Sequence, residues 1–219
     1  MLMTMGAEIS SDQRPVIPAS EILAKIERGE DVEYDGVIVE GDLDISGLDL
    51  PTEYVERTKN EKRQGLTDKQ KLISSKITII NSDIGGKVKF SNTRFQELIN
   101  FNRSKFTSAY TDFRGVKFGG DAHFELAEFT GSYVNLEGAE FCGDANFGGA
   151  ELDKIVIFWG AKFTGGAVCF RGAKFAFVSF ESAKFTAEDI DFKGGIDFRE
   201  VEFSDDVHFE FSRIHRQLC

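Results

Sequence analysis

The chain has 219 residues, a formal net charge of −11 at pH 7, and an aromatic content dominated by 22 phenylalanines against one tryptophan. No apolar stretch approaches the roughly 18–20 residues that span a bilayer, and the first residues lack the apolar core of a secretory signal, so we expect no membrane segment and a cytoplasmic location. The three cysteines, Cys142, Cys169 and Cys219, are widely spaced and form no CxxC pair, which argues against a disulfide framework or a zinc site.

The first predicted element is a short helix within the N-terminal segment 1–36. The stretch PASEILAKIERGE predicts this helix over about residues 20–28, with Ser20 as N-cap and Gly29 just past its end. Its apolar residues would share one face: Ile22, Leu23 and Ile26. A repetitive region follows, and its end would otherwise expose apolar core, so we expect the helix to act as a cap.

Two segments of different character come next. Residues 37–50 place Val39, Ile45 and Leu50 at steps of six and five, which predicts an opening partial coil. Residues 51–71 have no apolar period and contain six Lys or Arg against four acids. We therefore predict that residues 51–71 form an inserted loop or short hairpin that projects between coils.

The main region, residues 72–210, repeats an apolar residue, nearly always Phe, every five to seven positions. That spacing suits neither a helix nor an ordinary strand. Every fourth member lies 22 to 24 residues from its predecessor, so one coil has four sides. The members sort into four columns: Phe95, Phe118, Phe141, Phe163, Phe185 and Phe209; Phe101, Phe124, Phe147, Phe170 and Phe192; Phe106, Phe129, Leu152, Phe175 and Phe198; Phe90, Phe113, Leu136, Phe158, Phe180 and Phe203.

The residue two places before each column member is small or β-branched, as at Ala139, Ala145 and Val156. In extended chain, residues two apart point to the same face, so the Phe and its small partner both point inward. The residue between them points outward, and it is mostly polar, as at Lys117 and His123. The interior is therefore predicted to be four stacks of Phe rings.

These A-x-F units, separated by two or three turn residues, resemble the pentapeptide-repeat family over about residues 73–209 and also over 37–50. Chains of that family wind into a right-handed, four-sided β-helix. The resemblance implies an all-β solenoid, a right-handed quadrilateral β-helix with a short N-terminal capping helix. This chain departs from the family's A-(D/N)-L-x-x form in its central Phe and in a sixth or seventh residue at many corners, which predicts a slightly enlarged coil.

The expected function is binding rather than catalysis. A filled interior leaves no cavity for a substrate, and the sequence holds no phosphate-binding loop, catalytic diad or metal-ligand spacing, so we expect no enzyme activity, cofactor or metal. A solenoid of this kind would present its surface to a protein partner as a scaffold. Trp159 and Phe177 are the candidate contact residues, because both lie where the pattern predicts solvent. The alternative is that these two side chains pack over a loose corner.

The same resemblance offers a second function, since gyrase-protecting relatives are thought to imitate duplex DNA. The candidate surface for it is an acidic run near the C-terminus: Glu188, Asp189, Asp191, Asp197, Glu200, Glu202, Asp205, Asp206 and Glu210. Acid at the ends would equally keep end coils from stacking on one another.

Charge along the rod favours the first function. Residues 90–187 carry 11 acids and 10 bases, and the outward column of Arg94, Lys117, Lys162 and Lys184 is basic, whereas a DNA mimic needs negative charge along its length. We expect an unidentified protein partner, no direct nucleic-acid binding and no membrane binding. The short tail, residues 211–219, gives no basis for predicting dimerisation.

Overall fold

The protein is a β-solenoid of about seven turns, built mostly from parallel strands. The computed structural model describes residues 14–131 and 133–186, together with the backbone of four later strands: Ile196–Asp197, Glu202–Phe203, Val207–His208 and Arg213–Ile214. The predicted all-β solenoid with a short N-terminal helix is confirmed.

Each coil contributes a strand to each of four faces, numbered here in chain order. Face 1 holds Lys69–Ile73, Thr93–Phe95, Lys117–Phe118, Glu140–Phe141, Lys162–Phe163, Lys184–Phe185 and Arg213–Ile214. Face 2 holds Val32–Asp35, Ile77–Ile80, Ile99–Asn100, Ala122–His123, Ala145–Asn146, Val168–Cys169 and Ile196–Asp197. Face 3 holds Val16–Pro18, Ile38–Glu40, Asp83–Ile84, Lys105–Phe106, Glu128–Phe129 and Glu202–Phe203. Face 4 holds Leu43–Asp44, Val88–Lys89, Thr111–Asp112, Tyr133–Asn135 and Val207–His208. Two longer strands run from face 3 into face 4: Glu151–Ile157 and Lys174–Ser179.

The interior is a set of stacked phenylalanine rings, one stack behind each face. On face 2 the rings of Phe124, Phe147 and Phe170 are buried, and successive centroids lie 5.0 and 5.1 Å apart. Rings from different faces meet edge to face, as Phe147 and Phe158 do at 5.6 Å and 90°. The predicted register of these three residues is confirmed. Each ring stacks on its neighbour in the same face and meets a ring of another face edge to face, and both arrangements are favourable for aromatic pairs.

The small residues beside the rings are equally buried. Ala139, Ala145 and Ala150 are each 0% exposed, at the second inward position of their strands. Face 4 uses a bulkier residue at that position, as at Val134 and Val156. The alternation of a ring with a small partner fills the coil and leaves no central channel.

Two of the four corners repeat a left-handed backbone conformation in every coil. The corner between faces 4 and 1, called here the 4–1 corner, has φ between +56° and +64° at Asn92, Gly115, Gly138, Gly160 and Ser182. Each of the first four donates its backbone N–H to a carbonyl of the next coil, for example Gly115 to Glu137 at 2.8 Å. A non-glycine residue in this conformation costs about 1 kcal/mol, so most of these positions are glycine or asparagine.

The corner between faces 3 and 4 shortens along the rod. Phe106 and Phe113 are seven positions apart, as are Phe129 and Leu136, but Phe175 and Phe180 are only five apart. With fewer residues in the corner, extended structure continues through it, which makes Glu151–Ile157 and Lys174–Ser179 single strands. Their mutual register shifts between Leu152 and Ile155, where one strand has a residue more than the other.

The N-terminal helix α1, Ala19–Glu27, covers the first coil as predicted. Ile22 and Ile26 are buried in the core, and the helix packs against Val16–Pro18, Val32–Asp35 and Leu43–Asp44. Gly29 follows the helix with φ +69°.

Ser20 is not the N-cap of α1. Pro18 occupies that position without a side-chain cap bond, and Ser20 lies inside the helix. The reason is that Val16–Pro18 pairs with Ile38–Glu40, so the helix starts directly at the end of a strand that the sequence pattern did not reveal.

The predicted register of the last coil is wrong. Phe175 pairs with Phe203 rather than Phe198, and Phe185 pairs with Ile214, 29 positions later, rather than with Phe209. On face 2, Cys169 pairs with Asp197 rather than with Asp191. The tripeptide Ile-Asp-Phe occurs twice, at 190–192 and 196–198, and the first copy continues the spacing of 22 to 24 residues from Phe170. The strand Ile196–Asp197 nevertheless uses the second copy, and residues 187–195 lie outside the described residues.

A first prediction concerns the rings. Phe147→Ala removes a side chain that is 1% exposed and packed between two stacked neighbours, so we expect a loss of about 3–5 kcal/mol in the free energy of unfolding. His123→Ala, which changes an outward side chain on the same face, should change it by less than about 0.5 kcal/mol. Urea unfolding of both variants checks this, and equal losses would contradict the assigned interior.

Candidate interaction surface

Residues 51–71, called here the strap, fold against the side of the rod. Thr52–Tyr54 pairs antiparallel with Lys69–Ile73, and a short helix α2, Lys59–Arg63, lies between them. A capping box starts α2: Thr58 N–H donates to the Glu61 carboxylate at 2.7 Å, and Glu61 N–H donates to Thr58 Oγ1 at 3.2 Å. The predicted hairpin is present, but the strap does not project.

The strap docks on the 4–1 corner. Leu66 is 4% exposed and packs over Gly115, and the buried Arg57 donates to Asn92 Oδ1 at 2.8 Å and to the Gly115 carbonyl at 3.3 Å. From the rod, Arg114 Nη1 donates to the Gln64 carbonyl at 3.0 Å. The basic residues that suggested a solvated loop therefore include one that anchors the strap to the corner.

Face 4 carries three ladders of side chains, each with one residue per coil, and in the middle ladder every residue except Ile157 is buried. The ladder beside face 3 runs Tyr110, Tyr133, Ile155, Phe177; the middle ladder runs Asp112, Asn135, Ile157, Ser179; the ladder at the 4–1 corner runs Arg114, Glu137, Trp159, Glu181. The face is polar near the strap and becomes apolar beyond it.

The apolar part, called here the face-4 patch, consists of Tyr133, Ile155, Ile157, Trp159 and Phe177. Ile155 is 43% and Trp159 39% exposed, and the other three are half-buried. Trp159 and Phe177, the two residues singled out from the sequence, thus lie on the same face in successive coils, at opposite edges. The two isoleucines between them were missed because an isoleucine in a strand suggests core; in the run Ile155-Val156-Ile157 only Val156 points inward.

A groove of about 310 Å³ separates the strap from Trp159. Glu61 and Gln64 of the strap form one wall, and Trp159, Gly160 and Lys162 form the other. The groove exists because the strap ends at the coil of Glu137, whose carboxylate accepts a hydrogen bond from Gln64 Nε2. Burial of this carboxyl group raises the pKa of Glu137.

The polar half of face 4 is held rigidly. Tyr110 and Tyr133 stack with centroids 5.5 Å apart, and Arg114 holds Asp112 through two hydrogen bonds of 2.9 and 2.8 Å. Burial, with the charge of Asp112, raises the pKa of Tyr110 to about 12. The patch therefore continues from an ordered ladder rather than from a loose corner.

The acidic run is only partly described. The backbone places Asp197 on face 2, next to Cys169, and Glu202 on face 3, next to Lys174. The remaining members of the run, and their side chains, lie outside the described residues: Glu188, Asp189, Asp191, Glu200, Asp205, Asp206 and Glu210.

Within the described residues, no group of three or more His, Cys, Asp or Glu side chains is arranged to hold a metal ion. In the same part of the chain, no helix is long and apolar enough to cross a membrane.

The fold and this surface define a parallel β-solenoid whose stacked coils expose an aromatic face. A family profile described as "Pentapeptide repeats (9 copies)" matches residues 90–138 and 113–162, which include most of the stacked Phe rings and every patch residue except Phe177. Residues 90–162 therefore carry the repeats of the pentapeptide-repeat family. Solenoids of this family are commonly protein-interaction scaffolds and are generally non-catalytic. Searches of the curated proteins and of the solved structures found no match.

The strap docking predicts different effects for two glycines of the same corner. Gly115 and Gly138 have φ of +59° and +64°, so alanine strains both, but only at Gly115 would the added Cβ meet Leu66, at 2.4 Å from Cδ1. We expect Gly115→Ala to open the strap to trypsin, which cleaves after its Lys and Arg residues, while Gly138→Ala leaves it protected. Equal cleavage of the two variants would show that Leu66 does not hold the strap.

The raised pKa of Tyr110 makes stability depend on alkaline pH. An unfolded Tyr ionises near pH 10, so the unfolded chain loses this proton first, and stability falls as pH rises from about 10 towards 12. Tyr110→Phe should make this loss of stability with pH less steep. Part of the pH dependence should remain, because the pKa values of Tyr34 and Tyr133 are also raised. Urea unfolding below and above pH 10 measures this, and an unchanged slope in the variant would contradict the burial of Tyr110.

Proposed function

We propose that this protein is a non-catalytic, cytoplasmic scaffold that binds a protein partner through the face-4 patch. The observation that carries the proposal is the exposure of Ile155 and Trp159 on one face of a rod whose other large apolar residues mostly lie inside. Contiguous exposed apolar side chains on a folded protein mark interaction sites, and Trp is enriched among the residues that dominate binding energy.

The rod suits this role because its surface is already ordered before binding. Four of the five patch side chains stand on paired strands, as Ile155 does between Tyr133 and Phe177. Trp159 lies in the turn after Glu151–Ile157, where its carbonyl accepts a hydrogen bond from Gly138 N–H at 2.8 Å. Association then costs little backbone entropy, and more of the contact energy appears as affinity.

The DNA-mimic alternative lacks support from the described faces. Face 1 carries lysines, and on face 3 Lys105 and Lys174 interrupt the carboxylates, so neither presents the continuous negative charge that imitation of a duplex requires. Such a mimic would bind a basic groove with a steep dependence on salt. Binding through the patch should depend on salt only weakly.

The test is quantitative capture of partners from the native cytosol with wild type, Trp159→Ala and Phe177→Ala. Leu126→Ala is the matched control, because Leu126 is 45% exposed but lies at the opposite corner, between faces 2 and 3. We expect Trp159→Ala to weaken binding by at least about 1 kcal/mol and Leu126→Ala to leave it unchanged. Binding that resists Trp159→Ala and falls steeply with salt would overturn the proposal in favour of the acidic run.

A further inference from the structure

Face 3 shows how this rod normally handles outward charge. Lys105 lies 2.9 Å from the Glu128 carboxylate, and Lys174 lies 3.5 Å from Glu151. Each lysine of the ladder therefore has a carboxylate on a neighbouring coil, although Glu128 and Glu151 are themselves directly in register. Opposite charges directly across paired strands stabilise a sheet, and like charges destabilise it.

Face 1 follows this rule only in its first half. Arg94 pairs with Glu53 of the strap at 3.1 Å, and Lys117 pairs with Glu140 at 3.2 Å. Beyond Glu140 the ladder continues with Lys162 and Lys184, which are directly paired in register, and the backbone places Arg213 next to Lys184.

The two lysines have less compensation than those of face 3: Glu140, the carboxylate in register with Lys162, already pairs with Lys117, and both neighbours of Lys184 on the ladder are basic. Lys162 and Lys184 are both exposed, and no carboxylate of the described residues forms an ion pair with either. On neighbouring parallel strands their backbones lie about 4.8 Å apart, so the positive charges repel each other. The chain has a net charge of −11, so Lys162 and Lys184 form a local positive site on a negatively charged protein.

The same groove joins these lysines to the face-4 patch. Lys162 lines the groove beside Trp159, just across the 4–1 corner. The two carboxylates that line the groove already accept hydrogen bonds: Glu61 of the strap accepts from Thr58 N–H and Arg57, and Glu137 of the rod accepts from Gln64. Among the charged residues that line the groove, Lys162 is therefore the one left available to a ligand, and Lys184 lies next to it on the following coil.

We propose that this edge of the rod binds an acidic segment of the partner protein, with an apolar side chain on Trp159 and carboxylates on Lys162 and Lys184. The inference rests on the proposed function and adds the chemistry of the partner. A segment laid along the rod axis can match the lysine spacing with carboxylates one helical turn apart, about 5–6 Å, or two residues apart on a strand. Nucleic acid fits less well, because it carries a phosphate at every nucleotide and would extend past the two lysines over a protein of net charge −11, whereas a short acidic segment can confine its charge to Lys162 and Lys184.

The test uses fluorescence anisotropy with a fluorescein-labelled peptide that has a single phenylalanine followed by a run of aspartates. A matched peptide with asparagines measures the contribution of charge. The protein variants are the double change Lys162→Gln and Lys184→Gln, and, as a charge-matched control, Lys69→Gln with Lys87→Gln, two exposed lysines outside the groove. Thermal unfolding confirms that each variant is folded, and a single-stranded oligonucleotide is tested as competitor.

We expect the aspartate peptide to bind wild type more tightly than the asparagine peptide. The Lys162/Lys184 variant should weaken its binding roughly fivefold, the effect of about 1 kcal/mol, whereas the control changes it less than about twofold. Failure of the aspartate peptide to bind, equal effects of the two lysine variants, or displacement by the oligonucleotide at lower concentration than by unlabelled peptide would overturn the inference. A natural partner that still requires Trp159 but is indifferent to Lys162 and Lys184 would refute this inference alone and leave the proposed function standing.

Discussion

The stacking of phenylalanine rings at the spacing of parallel strands is the constraint on which the rest of this structure depends. Successive coils lie about 4.8 Å apart, and the rings of Phe141, Phe163 and Phe185 follow with centroids 4.7 and 4.6 Å apart. A ring can stack this closely only if every coil returns to the same register. Outward positions are thereby brought into register as well, so each surface side chain has a defined neighbour one coil above and one below. The charge pairs, the tyrosine stack and the face-4 patch are all consequences of that alignment.

Much of the fold could be predicted from the sequence because the buried phenylalanines recur at a regular spacing along the chain. The columns from Phe90 to Phe185 needed only the spacing of large apolar residues and their small partners. The last coil could not be predicted that way, since the tripeptide Ile-Asp-Phe occurs twice and the copy that continues the spacing, at 190–192, is not the one that pairs with the preceding coil. The docking of the strap was also out of reach, because Arg57 and Leu66 contact the corner once and repeat nothing.

Only part of the candidate surface could be predicted from the sequence. Trp159 and Phe177 could be singled out because an aromatic residue at an outward position breaks the pattern. Their position on one shared face, the contribution of Ile155, and the pairing of Lys162 with Lys184 depend on which residues lie next to each other across coils. The strap matters to function for a similar reason: it shields the first coils of the 4–1 corner and ends just before Trp159, which leaves that side chain and the neighbouring lysines at the edge of a groove.

The single tryptophan makes the central claim directly measurable, because all tryptophan emission of the chain comes from Trp159. Trp159 is 39% exposed in the free protein, so acrylamide should quench its fluorescence readily. If the partner binds across face 4, complex formation should shift the emission to shorter wavelength and reduce the acrylamide quenching constant, since the indole leaves water. A complex that forms fully, as judged by an independent measure such as sedimentation, while Trp159 keeps the emission and quenching of the free protein would contradict the assignment of this surface.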